Sequence, residues 1–248
     1  MPKLSALLFA GVALIGGMSA AQAAAKVELL DAPVNLSDTA SLQRGAKLFM
    51  NYCASCHSAG LLRYSRMAED LGLTEEQVMT SLNFTGAKFG DPITVAMDPA
   101  DAQAWIGAAP PDLSLTARAK HGGPDWVYTY LKSFYIDESR PIGWNNTVLP
   151  NSSMPHVLWE LQGIQYPVFE QDPASGQPKV VGFRVNEADQ AKAKAYDQVA
   201  RDITNFMHYM AEPAALQREA WGPWIMLFLV VFTLMMWVLK QEYWRDVH

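Results

Sequence analysis

The sequence predicts a mainly α protein in which one globular helical domain is followed by a single C-terminal transmembrane helix. Three observations carry that expectation. Apolar residues recur at helical spacing in two interior stretches, an apolar block without a charge lies near the C-terminus, and the length between the apolar ends suits one domain. Of the 248 residues, removal of a leader and a membrane segment leaves about 190 to 200, a tight fit for two compact domains but right for one with insertions.

The first apolar end is Met1 to Ala23. It has Lys3, an apolar run from Leu4 to Ile15 and the small-residue sequence Ala21-Gln22-Ala23. That is the layout of a secretory signal cleaved after Ala23, which implies export across a bacterial inner membrane. The second runs from Trp221 to Leu239, nineteen residues without a charge. At 1.5 Å per residue it reaches about 28 Å, enough to cross a hydrocarbon core. Trp221, Trp224, Trp237, Tyr243 and Trp244 cluster at its ends, and Lys240 and Arg245 follow, which puts the tail in the cytoplasm. The expected division is a signal peptide at 1–23, a periplasmic domain at 24–215, a membrane anchor at 216–240 and a cytoplasmic tail at 241–248.

Half the residues are hydrophobic, a figure inflated by the two ends, so the middle has ordinary globular composition. The net charge of −6 excludes nucleic acid as the main partner, because a phosphate binder needs a basic face. It suits a cationic partner.

Both cysteines lie in Cys53-Ala54-Ser55-Cys56-His57, the C-x-x-C-H pattern of c-type haem attachment. Two thiols three positions apart can each add to one vinyl group of a porphyrin, while the adjoining His57 presents its imidazole to the iron. A thioredoxin-like dithiol would want a βαβ context that the helical flanks do not supply. A structural zinc site would need four ligands, with only two cysteines at hand. A plain disulfide leaves His57 unexplained.

The flanking pattern supports the haem. Ser37 or Asp38 can cap a helix whose Leu42, Gly45, Ala46, Phe49 and Cys53 recur at helical spacing. Gly45 lets another helix cross closely. The expected partner is Glu187 to Met210, where Val199, Ile203, Phe206, Met207 and Met210 form an apolar stripe.

The second axial ligand must come from elsewhere, and Met154 is the first candidate. It projects from Asn145 to Pro155, a loop rich in Asn, Ser and Pro without helical or strand periodicity. Met97, before Asp98-Pro99, and His156 are the alternatives, whereas Met207 and Met210 fall on the apolar helix stripe and read as core. A His/Met pair would raise the reduction potential of the iron.

Several segments, in this order, make the chain resemble the cytochrome c1 family, the haem subunit of ubiquinol–cytochrome c oxidoreductase, the bc1 complex. They are Ser41-Leu42-Gln43-Arg44-Gly45 leading to Cys-Ala-Ser-Cys-His-Ser, then Arg63 to Leu71, Ala109-Pro110-Pro111-Asp112-Leu113-Ser114, His121-Gly122-Gly123, Met154-Pro155 and Ala211-Glu212-Pro213. The match covers nearly the whole mature chain.

The resemblance implies a class I cytochrome c-like haem domain carrying one covalent haem c, with a long insertion. About a hundred residues separate His57 from Met154. It implies that the Rieske iron–sulfur protein donates an electron to this haem, which passes it to a c-type cytochrome acceptor. Cytochrome b is a further partner, and the complex is dimeric. Pro110 and Pro111 would pack near the haem, and Arg118 or Lys120 would pair with a propionate, since a carboxylate beside a partly buried haem needs a cation. Lys120 stands where the animal pattern has Arg, and Trp126 where it has Tyr. The cysteine pair that some bacterial relatives use as a disulfide in the insertion is absent. The acidic stretches Glu69-Asp70, Glu75-Glu76 and Asp137-Glu138 are candidates for a face that steers a cationic acceptor.

Two other classes share part of this signature. A free-standing anchored electron shuttle would carry its haem domain on a flexible linker. A haem-based gas sensor would need an open sixth position.

Overall fold

The structure, a computed structural model, describes residues 27–95, 97–173 and 176–246. The expected signal peptide lies outside the described residues.

The chain enters the domain at helix α1 (Thr39–Leu48), capped by Asp38, whose carboxylate accepts from the Ser41 N–H at 2.9 Å. Its apolar face continues into a single π-helical turn, Phe49–Cys53, in which Phe49, Met50 and Cys53 are buried. The insertion follows as short pieces: strand β1 (Ala59–Arg63), α2 (Tyr64–Leu71), α3 (Glu75–Ser81), strand β2 (Pro92–Ile93), α4 (Pro99–Ile106) and α5 (Thr116–Ala119). Two of these helices start on clear capping signals. Thr74 and Gln77 form a reciprocal capping box on α3, and Asp98 caps α4 with Pro99 in its first turn. β1 and β2 pair antiparallel.

The remaining elements are α6 (Pro124–Lys132), strands β3 (Phe134–Ile136) and β4 (Trp144–Asn146), α7 (Trp159–Gln162), strands β5 (Gln165–Gln171) and β6 (Pro178–Val185), α8 (Gln190–Ala211) and α9 (Ala214–Trp244). β3 pairs antiparallel with β4 and β5 with β6, so the described sheets are two-stranded ribbons on a helical body. The 165–185 hairpin was not expected from periodicity. Its strands are largely solvated, with Val168, Phe169 and Val181 exposed, so no buried face impresses a clean alternation on the sequence.

Helix α8 is the hub, packing against α1, α5, α6 and α7. Its crossing with α1 is as close as the sequence predicts. A Cβ on Gly45 would stand 2.0 Å from the Asp202 carbonyl oxygen and 2.7 Å from Phe206 Cβ, so only glycine fits. At the same crossing the buried Asp202 carboxylate accepts from Ser41 Oγ at 2.6 Å, Arg44 Nε at 2.7 Å and Gln198 Nε2 at 2.8 Å. A charge taken out of water here is fully bonded, which is what makes its burial tolerable. Asn205 extends the network to the Asn35 backbone and Ser41.

Glu212 and Pro213 alone separate α8 from α9, so the turn into the last helix starts within Ala211-Glu212-Pro213. α9 has 31 residues, is apolar enough to cross a membrane, and buries none of its most apolar stretch against the protein. It contains Pro223, which withholds one amide from the helix ladder near the start of the apolar run.

Candidate haem site

The C-terminus of the π turn presents the motif. The Cys56 and His57 amides both donate to the Cys53 carbonyl oxygen, at 3.1 and 2.9 Å, which curls Cys53 to His57 into one compact turn. A π turn adds one residue to the helical repeat and so re-aims the residues after it, a device common at functional sites. Both thiols are free. Burial pushes the Cys53 thiol up to about 12, the charge of Cys56 adding to the effect.

The decisive contact on this side is His57 Nδ1 to the Pro111 carbonyl oxygen, 2.8 Å. A carbonyl can only accept, so Nδ1 carries the proton and Nε2 keeps its lone pair for a metal. Burial lowers the His57 pKa, opposed by the Pro111 bond and the Asp112 charge, and favours the neutral ring. Pro111 is itself held because Pro-Pro-Asp-Leu-Ser docks along the segment after the motif. Gly60 N–H donates to Asp112 Oδ2 at 2.7 Å, Leu61 N–H to Ser114 Oγ at 3.0 Å, and Leu113 N–H to the Ser58 carbonyl at 2.8 Å.

The Met154 loop is held by side chains. The buried Asn146 donates to the Tyr130 carbonyl at 2.8 Å, while its Oδ1 accepts from Ser133 Oγ and from the Val148 and Leu149 amides. Asn145 Oδ1 accepts from the Asn151 amide at 2.9 Å, where Asn151 adopts a left-handed φ of 65°. Ser152 Oγ accepts from the Met154 amide at 3.3 Å. The Tyr130 hydroxyl donates to Met154 Sδ at 3.4 Å, and burial raises the Tyr130 pKa, keeping the phenol protonated.

His156 is buried in an aromatic box. Its ring stacks on Phe134 at 4.8 Å and meets Trp144 and Tyr196 edge-on, and burial pulls its pKa down to about 4. Met97 lies half-buried before α4. Met207 and Met210 are core, as their helix stripe predicts.

Of the cations, Lys120 Nζ sits 4.8 Å above the Trp126 ring, which stacks on Tyr130. Arg118 is exposed. It adds to the effect of Arg218, the main partner, in holding the Glu212 carboxylate below its usual range. Two members of the acidic stretches serve the fold. Asp70 accepts from Arg66 at 2.6 Å and Tyr209 at 2.8 Å, and Asp137 from Ser139 and Asn145; Glu69, Glu75, Glu76 and Glu138 stay exposed.

A family profile described as the Cytochrome C1 family matches residues 30–247. The chain belongs to the cytochrome c1 family. It is 49% identical over 221 residues to cytochrome c1 of Allochromatium vinosum, which spans 89% of this chain and 90% of that one. It is 41% identical to the ammonia monooxygenase gamma subunit of Nitrosomonas europaea, with 90% of each chain covered. Cytochrome b/c1 of Bradyrhizobium diazoefficiens is 26% identical over 87% of this chain and 34% of that longer protein.

As a cytochrome c1 the chain is a haem-carrying electron-transfer subunit of the bc1 complex, and its family cofactor is haem c. The residues present fit that group: two free thiols and a neutral imidazole with its Nε2 lone pair unused come from one turn. Tyr130, Asn145, Asn146 and Asp112 are the supporting residues of this cytochrome c1, and no pattern in the sequence assigns Tyr130 or Asn146 that role. The one available signal was local, a tandem Asn opening a loop, because Asn side chains bond nearby backbone.

Proposed function

We propose that this cytochrome c1 holds one haem c through Cys53 and Cys56, with His57 and Met154 as the axial iron ligands. It takes electrons from the Rieske iron–sulfur protein and hands them to a c-type cytochrome. The observation that carries the reading is the bond from His57 Nδ1 to the Pro111 carbonyl, since it assigns the tautomer an iron ligand requires. Haem supplies the one-electron chemistry, and a His/Met pair sets it at a high potential.

The chain's own residues then do the positioning. The turn Cys53–His57 fixes both attachment points and the imidazole relative to α1, and the α1–α8 crossing holds α1. Met154 is favoured over His156 because His156 is enclosed by Phe134, Trp144 and Tyr196. Pro110 and Pro111 pack beside the haem. Arg118 and Lys120 are the cations within sequence reach of a propionate, Lys120 being braced on Trp126. Residues 24–215 lie in the periplasm, 216–240 cross the inner membrane, and 241–248 are cytoplasmic; cytochrome b lies beside the anchor in a dimeric complex.

Absorption spectra of the oxidised and dithionite-reduced complex test the ligands. Native protein should give a c-type spectrum with the weak red band of an Fe–S(Met) bond, and Met154→Leu should lose that band. A band that survives in the variant rejects Met154. The Nitrosomonas relative is named for a monooxygenase, and what co-purifies separates the readings: a b-type cytochrome with a Rieske protein here, monooxygenase subunits otherwise.

A further inference from the structure

We propose that Tyr130 is a positioning residue that tunes the iron through the Met154 thioether. The inference rests on Met154 being the axial ligand.

A thioether sulfur has two lone pairs. If one binds iron, the other can accept a weak hydrogen bond. The Tyr130 hydroxyl, 3.4 Å from Met154 Sδ, is placed to give it. Its neighbours are compatible with that direction. Ser152 Oγ lies 3.1 Å from the Tyr130 oxygen and already accepts from the Met154 amide. While accepting that amide, the serine hydroxyl can donate its own proton to the Tyr130 oxygen, an arrangement that leaves the phenol proton for sulfur.

The ring has little room to turn away. Trp126 stacks on it at 4.9 Å with planes 9° apart, Phe134 meets its edge at 5.0 Å, and Lys120 Nζ lies 4.8 Å from the centre of the Trp126 ring. Asn146 holds the Tyr130 carbonyl from below.

A phenol proton beside the sulfur places the positive end of a dipole near the iron and draws density from the donor atom. Both effects disfavour the ferric state, which carries the extra positive charge, and so raise the reduction potential. Trp126 and Lys120, the two departures from the animal pattern, brace the ring that delivers this proton.

The test is a potentiometric titration of the solubilised native complex, Tyr130→Phe and Ser152→Ala, with the red Fe–S(Met) band recorded for each. Phenylalanine keeps the ring contacts and removes only the proton. Tyr130→Phe should keep the band but shift its position, and should lower the ferrous-to-ferric equilibrium constant by about threefold to tenfold, the worth of one hydrogen bond. For a one-electron couple, tenfold corresponds to about 59 mV. Ser152→Ala should move the potential the same way by less. A band present in native protein with an unchanged potential in Tyr130→Phe overturns the tuning role alone, even if the variant melts lower. If Tyr130→Phe does not assemble, an unchanged potential in Ser152→Ala overturns it. A native protein without the band overturns the Met154 assignment and this inference together.

Discussion

On the His57 side of the site the backbone does most of the holding, and on the Met154 side the side chains do. His57 follows the turn after a continuous helical run that ends at Cys53, that turn is closed by amide bonds to the Cys53 carbonyl, and the ring is aimed by the Pro111 carbonyl. Met154 stands in a loop without regular structure, and that loop is pinned by Asn145, Asn146, Ser152 and Tyr130. The difference teaches that a ligand on a loop can be as determined as one on a helix, provided that buried amide side chains replace the missing ladder. It also means that the two sides should break in different ways.

The largest effect is expected where backbone meets backbone. Gly45→Ala forces a Cβ against the Asp202 carbonyl, which α1 and α8 can relieve only by separating. A loss of about 3 kcal/mol or more is expected, with a low yield of haem-loaded protein. A melting temperature equal to the native one would show that the crossing is not as tight as described.

Asn146→Ala comes next and sharpens the contrast. It removes the partner of two loop amides, of the Ser133 hydroxyl and of the Tyr130 carbonyl, for a cost of about 2 to 3 kcal/mol. The red Fe–S(Met) band should weaken while the covalent c-type spectrum remains. Loss of both together would mean that the sides are not separable.

Asp112→Ala is the counterpart on the other side. It strips the Gly60 and Ser114 amides of their acceptor but leaves Pro111 in the chain, for a cost of about 1 kcal/mol. Denaturant midpoints should fall slightly with the red band unchanged. A lost band would place Asp112 in control of the Met154 side.

The smallest effect is the pH response of the α6–α8 contact that supports Tyr130. Asp197 is held below its usual range first by the Lys132 hydrogen bond and then by that of Tyr128. A lowered carboxylate contributes stability above its unfolded value of about 3.9, and that contribution disappears as pH falls through the lower folded value. Asp197 is 40% exposed, so solvent screening keeps the contribution small. Native protein should exceed Asp197→Asn slightly at neutral pH, and the two should converge below about pH 4. A gap that persists in acid would have a cause other than this carboxylate.

Much of the architecture was legible because it rests on local rules. The cap at Asp38, the apolar stripe of Ile203, Phe206, Met207 and Met210, the glycine at the crossing and the charge-free end each follow from periodicity or residue type. The hairpin at 165–185 was not legible, because solvated strands carry no pattern that burial would impose. Asp70 and Asp137 looked like surface charge in the sequence. Only their partners, Tyr209 and Asn145, show them to be acceptors in the fold's own hydrogen bonds.

By itself, the sequence determined which atoms can do the chemistry: two thiols and an imidazole in Cys53-Ala54-Ser55-Cys56-His57, because covalent attachment depends on spacing along one turn. Tertiary structure alone decided how those atoms are aimed. The Pro111 carbonyl reaches His57 from 54 positions away, and the Tyr130 hydroxyl reaches Met154 from 24 positions away. Such contacts depend on how distant segments pack, and no local pattern in the chain encodes them.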